Sequence, residues 1–372
     1  MNKNKFSNFL NKNQKLKLIL YYIVFFFLFD YILGEKILNY AYKNNFLHHP
    51  SIKLKLIDEN EKKYRISHPI FHHTLEKNVN IQSQWGEFTY KTCTDKNGFR
   101  VHCGNIKKYN DEVILIGDSF TEGIGLDYEK TFAGMLSKEF KINFHNMGVA
   151  SYSPAIYKQK INFFLEKKII QPKGVLVFID ISDIDDEFYY YDCKNNESIC
   201  SKYDDIIPTT NNKIDTPKIN FPIFKKTKKL MKETKRKFFP KIHSYEKDYN
   251  RSSWTHSKRN EKVNIGIANS IKNMNDLYQL LESKNIPMSL AVYPWPGQIF
   301  FDKEASLQVK IWHDFCISRC KNYINFFPEF FKEINNSSKK EVVRKYYLKN
   351  DVHFNEAGNQ KIFDKLKEID LF

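Results

Sequence analysis

Residues 117–123 read "GDSFTEG", directly after the apolar run "VILI". A serine at the end of a buried strand, set among glycines, is where a nucleophile could be held. Ser119 would need a base, and the base an orienting group. Both residue types stand together near the far end of the chain, in "NDVHFNEAGNQ" (350–360), which carries Asp351 and His353. In an extended segment residues i and i+2 point the same way, so this carboxylate and imidazole are expected to face one site. The start of a helix behind Ser119 would offer N–H groups and a positive dipole end to a developing oxyanion. The competing reading is plainer: a Ser or Asp in such a turn caps a helix, and the histidine lies on the surface.

These residues are 234 positions apart, so a fold must bring them together. From about residue 110, short apolar runs alternate with helical periodicity. The runs "EVILIG" (112–117), "INFHNMG" (142–148), "GVLVFIDI" (174–181), "MSLAVYP" (288–294) and "YINFF" (323–327) read as strands. Helices are expected near 130–140, 154–168, 261–284 and 305–320. In the third of these, Ile267, Ile271, Met274, Leu277, Tyr278 and Leu281 recur at amphipathic spacing. Strands alternating with helices predict a three-layer α/β/α fold with a mostly parallel, five-stranded sheet. Such sheets bind ligands at the carboxyl ends of their strands, where Ser119 would stand.

With these blocks in place the chain resembles the SGNH (GDSL-type) hydrolase superfamily. "GDSFTEG" matches the block in which the Ser is the nucleophile, here Ser119. "NMGVASYSP" (146–154) resembles the second block, which implies that the Gly148 N–H is an oxyanion donor. "DVHFNEAG" (351–358) resembles the last, which implies Asp351 as acid and His353 as base. The blocks occur in family order over residues 113–360, about two thirds of the chain. The third block departs from the family's Gly-x-Asn-Asp: it reads "DISD" (180–183), with Ser182 in the Asn position. A hydroxyl can donate one hydrogen bond there, with altered geometry. The Asp–His spacing, one residue shorter than in many members, resembles the membrane-anchored envelope branch that includes the alginate O-acetylation proteins. "TDKNGFR" (94–100) and "VYPWPGQ" (292–298) are also similar to exported members. The Gly-x-Ser-x-Gly elbow of lipase-type α/β-hydrolases is absent, since Thr121 stands two residues after Ser119.

Composition narrows the partners. The formal net charge of the 372-residue chain is +16, yet only seven of its 59 basic residues are Arg. Arg is the preferred reader of phosphates and bases, so a solvated basic surface is expected rather than nucleic-acid binding. A basic tail (1–17) precedes the apolar run "LILYYIVFFFLF" (18–29), which Asp30 interrupts and "YIL" extends to Gly34. No small-x-small cleavage site follows. Residues 18–34 are therefore expected to form an uncleaved transmembrane signal anchor, with the lysines in the cytoplasm and the rest in the periplasm. A lead-in segment (35–110) and a catalytic domain (111–372) follow, the latter with a polar insertion at 184–260 that contains the basic stretch "KKTKKLMKETKRKFFPK". The six cysteines form three close pairs: Cys93 and Cys103, Cys193 and Cys200, Cys316 and Cys320. Export permits disulfides, although the last pair, four apart in an expected helix, would bridge awkwardly. No pair has zinc-ligand spacing, so neither a metal nor a cofactor is expected.

The resemblance implies an ester hydrolase or an O-acyltransferase acting through Ser119, His353 and Asp351. Ser119, Gly148 and Ser182 would form the oxyanion hole. The expected substrate is a small ester or an acylated envelope glycan. A non-catalytic scaffold that binds polysaccharide at the membrane is the alternative.

Overall fold

The computed structural model describes residues 17–18, 20–34, 36–37, 63–104, 109–189, 191, 221, 223–224, 227–228, 250–257 and 261–371. They fall into two units, Met1–Lys55 with Pro208–His243 and Leu56–Ile207 with Ser244–Phe372.

In the larger unit the five expected strands are present and parallel. They are β6 (Glu112–Ile116), β7 (Asn143–Asn146), β8 (Gly174–Ile179), β9 (Met288–Val292) and β10 (Tyr323–Asn325). Their lateral order is β10-β9-β8-β6-β7, so the chain turns back on itself beside β6. β6 pairs with β8 from Val113↔Gly174 to Ile116↔Val177, which leaves Ser119 and the segment 180–183 just beyond adjacent strand ends. All six residues of β8 are buried, as in a strand covered on both faces. Helices Pro154–Glu166 and Asp183–Tyr189 pack on the long helix Glu261–Glu282, while Phe132–Glu139 and Lys339–Tyr346 pack on Glu356–Lys367.

The sheet is wider than expected. It has eight strands, because β3 (Asn80–Trp85), β4 (Phe88–Thr94) and β5 (Arg100–Val101) continue it antiparallel beyond β7. Their short, polar alternating pattern ("NIQSQW", "FTYKTCT") lacks the apolar run that marks a central strand. A separate hairpin, β1 (Arg65–His68) with β2 (His72–Leu75), precedes them. Residues 63–104 are thus bound to the parallel part of the sheet by main-chain pairing and by two arginines. Arg65 forks onto the Glu122 carboxylate at 3.0 and 3.1 Å, with side chains only 1% and 2% exposed. Arg100 donates to the carbonyls of Glu122 (2.7 Å), Gly123 and Leu126. Gly123 ends the serine's helix at φ 81°, the left-handed conformation that glycine adopts without strain.

Disulfides join Cys93 to Cys103 and Cys316 to Cys320. The second is less awkward than the sequence implied: the helix stops at Cys316, and Ser318 at φ 64° turns the chain so that Cα316 and Cα320 lie 4.8 Å apart. Cys193, Cys200 and most of the insertion at 184–260, including nearly all its basic stretch, lie outside the described residues.

In the smaller unit residues 20–34 are helical. Residues 18–34 were expected to form a transmembrane anchor; among the described residues no helix is long and apolar enough to cross a membrane. Asp30, which breaks the apolar run, is buried and accepts the N–H groups of Ile223 (2.7 Å) and Phe224 (2.8 Å). Its charge is spent on capping a second helical segment.

Breaking a buried ion pair leaves one charge uncompensated, which costs about 3–5 kcal/mol. Arg65→Ala is expected to lower the unfolding free energy by about that amount, read from urea denaturation. A loss under about 1 kcal/mol would show that the pair does not hold the lead-in segment to the serine's helix.

Candidate active site

The serine's position follows from the strand end. β6 stops at Ile116, and a one-turn helix, Ser119–Glu122, begins after Asp118. Asp118 is the cap: its Oδ1 accepts the Phe120 N–H at 2.9 Å. The helix-cap reading of "GDS" thus falls on Asp118 rather than on the serine. Asp118 closes the helix, and Ser119, half-buried at the first helical position, is left to point elsewhere.

It points at His353. Ser119 Oγ lies 2.8 Å from His353 Nε2, and His353 Nδ1 is hydrogen-bonded to Asp351 Oδ1. A Ser–His–Asp chain is thus assembled from residues 234 positions apart. A second acceptor for the serine, Asp118 Oδ2, is farther away at 3.2 Å.

The local geometry of the acid and base differs from the expected extended segment. Residues 348–353 form a tight loop, in which the Leu348 N–H bonds the His353 carbonyl (2.8 Å) and the Asp351 N–H bonds that of Leu348 (3.2 Å). Asn350 at φ 61° closes it. The side chains of Asp351 and His353 meet because the His353 N–H also donates to Asp351 Oδ1 at 3.0 Å, an Asx turn rather than a strand. Phe120 packs against the imidazole with ring centroids 4.9 Å apart, and the Trp85 ring meets it edge-on at 5.4 Å.

Electrostatics prime this pair. Burial works against a charged imidazole, but the neighbouring Asp351 carboxylate and its hydrogen bond outweigh it and raise the His353 pKa above 6.5. Burial would also raise the Asp351 pKa. The charge of His353 and the hydrogen bonds from His353 and Trp85 instead bring it down to about 2. Asp351 therefore stays ionised wherever His353 titrates.

The expected oxyanion donors are placed less simply. Gly148 lies against the serine's helix: a Cβ there would meet Thr121 Cβ at 2.7 Å and Glu122 N at 2.8 Å. Its N–H, however, is donated to Asn146 Oδ1 at 3.1 Å, while Asn146 Nδ2 donates to the Thr121 carbonyl at 2.7 Å. Asn146, the first residue of "NMGVASYSP", thus locks the second block to the first. Ser182 is buried, and its N–H donates to Asp180 Oδ1 at 2.5 Å.

The sequence reading missed a cluster of acids behind the serine. Carboxylate oxygens of Asp118, Asp180 and Asp183, all buried, lie within 4.8 Å of one another. That spacing could hold a cation, but protein donors fill most of the oxygens. Tyr293 and the Phe120 N–H serve Asp118, the Trp295 indole and the Ser182 N–H serve Asp180, and Tyr157 serves Asp183. Burial and the adjacent Asp180 push both Asp118 and Asp183 upward from the usual carboxylate range. Such an upward shift is expected for like charges that cannot all ionise. Three Asp residues scattered over 65 positions carry no pattern that could have announced this.

No protein-family model matches the chain, and no curated protein matches it. Solved structures do. A G-D-S-L-family lipolytic protein from Veillonella parvula is 14% identical, over 70% of this chain and 97% of its own, at a TM-score of 0.39. A psychrotrophic esterase from a Pseudoalteromonas species is 11% identical over 70% and 96%, at 0.36. An acetylxylan esterase of Geobacillus stearothermophilus, solved as a catalytic mutant, is 11% identical over 71% and 95%, also at 0.36. The chain is similar to GDSL/SGNH esterases in these comparisons, which single out no envelope branch. With TM-scores below 0.5 they carry no weight in the functional argument, which rests on the geometry.

A histidine base works only when neutral. kcat/KM for a small ester is expected to fall with decreasing pH, with a midpoint above 6.5. In Asp351→Asn the main cause of the upward shift is gone, so the midpoint should move down while the rate at its plateau drops by about 10⁴-fold. An unmoved midpoint would mean that another group sets the limb.

Proposed function

We propose that the protein is an ester hydrolase in which Ser119 is the nucleophile, His353 the base and Asp351 the orienting acid. The observation that carries the proposal is the 2.8 Å approach of Ser119 Oγ to His353 Nε2, with Asp351 on the other ring nitrogen. Ser119 Oγ adds to the ester carbonyl carbon as its proton passes to His353 Nε2. The tetrahedral adduct then collapses, and His353 returns the proton to the departing alkoxide. Water, deprotonated by the same nitrogen, cleaves the acyl-enzyme and regenerates the serine. The Ser119 N–H, at the start of a helix, is the donor best placed for the oxyanion. Gly148 joins it once its N–H is shared between Asn146 and substrate, and Ser182 is an auxiliary hydroxyl donor.

We infer further that the ester is an O-acyl group on an envelope glycan, outside the cytoplasm and at the membrane. The two disulfides support an oxidising compartment. The net charge of +16 suits polymers that carry uronate or phosphate. The helix over 20–34 leaves Leu20, Tyr21, Tyr22, Leu28 and Ile32 more than half exposed, an apolar surface fit for lipid.

Ser119→Ala is expected to cut turnover of a small acetyl ester by about 10⁴-fold or more without changing the melting temperature, and to abolish labelling by a fluorophosphonate. Unchanged turnover would sink the triad. For the substrate, NMR of polysaccharide from cells with and without the gene should show more O-acetyl signal in the deletion. Less signal would instead mean transfer to a sugar hydroxyl, and no change in any envelope glycan would remove this substrate class.

A further inference from the structure

Asp351 has two carboxylate oxygens, and the His353 contacts use only one. Oδ1 takes both the His353 main-chain N–H and the ring Nδ1. Oδ2 accepts the indole Nε1–H of Trp85 at 2.9 Å, across 266 residues of sequence. The same indole stands edge-on to the His353 ring at an interplanar angle of 88°. Trp85 ends β3 where the hairpin with β4 turns, paired with Phe88. A second contact from this turn, Glu87 to Lys349 at 3.2 Å, reaches the loop just before Asp351. That ion pair is well exposed and contributes little.

We propose that Trp85 is a positioning residue for the catalytic acid: its N–H fixes the rotation of the Asp351 carboxylate, and its ring confines the imidazole. The proposal rests on the Ser119–His353–Asp351 reading and extends it to the antiparallel extension of the sheet. A carboxylate held at one oxygen can swing about its Cβ–Cγ bond and loosen the His353 tautomer. Held at both, it cannot. The indole also draws off part of the Asp351 charge, which tempers the rise of the His353 pKa. Removal of the N–H therefore has a signed consequence beyond the loss of rate: the acid limb moves to higher pH.

The test compares Trp85→Phe with Glu87→Gln in the full-length protein. Loss of a hydrogen bond to a charged group corresponds to about 10–100-fold in kcat, with KM little changed. In Trp85→Phe we expect that loss together with an upward shift of the acid limb. In Glu87→Gln we expect neither. If Trp85→Phe does not fold, β-(3-benzothienyl)alanine at position 85 keeps the ring size and removes the N–H. A wild-type rate and limb in the Trp85 variant overturn the proposal. So does a rate loss with an unmoved limb that Glu87→Gln reproduces, since the hairpin would then act only as a tether. The downfield proton resonance of His353 Nδ1–H separates this outcome from failure of the triad itself. It should shift in Trp85→Phe even if Ser119→Ala retained activity, and an unshifted resonance overturns the positioning role independently.

Discussion

Glu122 is a carboxylate with almost no access to water, and the arrangement around the serine depends on how its charge is satisfied. Arg65 supplies a two-pronged guanidinium, and the Ala150 N–H donates to Oε2 at 2.7 Å. The Glu122 carbonyl takes Arg100. One residue of the nucleophile's own helix thus joins the lead-in hairpin, β5 and the loop of the second block. An uncompensated charge there would cost several kcal/mol, so these segments are held together or the site is lost as a unit. The helix that carries Ser119 is thus tied at its last residue to three other segments.

A common logic governs the acid and the base. Each functional side chain sits on a short, closed piece of backbone rather than on a long element: a one-turn helix for Ser119, a six-residue loop for Asp351 and His353. Short pieces have little intrinsic stability, so tertiary contacts must define them. The aromatic cluster of Phe120, Tyr293, Phe330, Tyr347 and Phe354 forms the floor beneath the imidazole. The Tyr347 hydroxyl ties the loop to the Pro294 carbonyl after β9, at 2.6 Å. A rigid parallel sheet carries strand ends that are individually weak and collectively fixed.

What the sequence could disclose follows the same division. The five parallel strands were legible because a strand buried on both faces must be a continuous apolar run, as in "VILI" and "GVLVFI". Ser119, Asp351 and His353 could be singled out because their blocks coincide in order along the chain, each being ambiguous alone. The antiparallel extension was not, since half-exposed strands such as "NIQSQW" alternate weakly and resemble a polar loop. Nor could the sequence show that Arg65 and Arg100 are buried, because a basic residue is ordinarily a surface residue. Two of only seven arginines in a chain so rich in lysine were a faint signal, which a count of charge alone conceals. The Gly148 N–H is the sharpest difference: a block alignment assigns it to the oxyanion, whereas the carboxamide of Asn146, two residues earlier, receives it.

The buried acids behind the serine complete the electrostatic account. A negative Asp118 next to Ser119 would oppose an oxyanion forming a few ångströms away. Burial and the neighbouring Asp180 keep Asp118 protonated well above the usual carboxylate range, so that opposition is muted. The ionised partner of the imidazole is instead Asp351, on the far side of His353 from the reacting carbonyl. In the proposed reaction, charge would thus stand where it stabilises an imidazolium and be suppressed where it would meet an oxyanion. The two aspartates differ only in surroundings: Asp351 faces an imidazole and an indole N–H, whereas Asp118 faces two other carboxyl groups. Environment, rather than residue type, divides their roles.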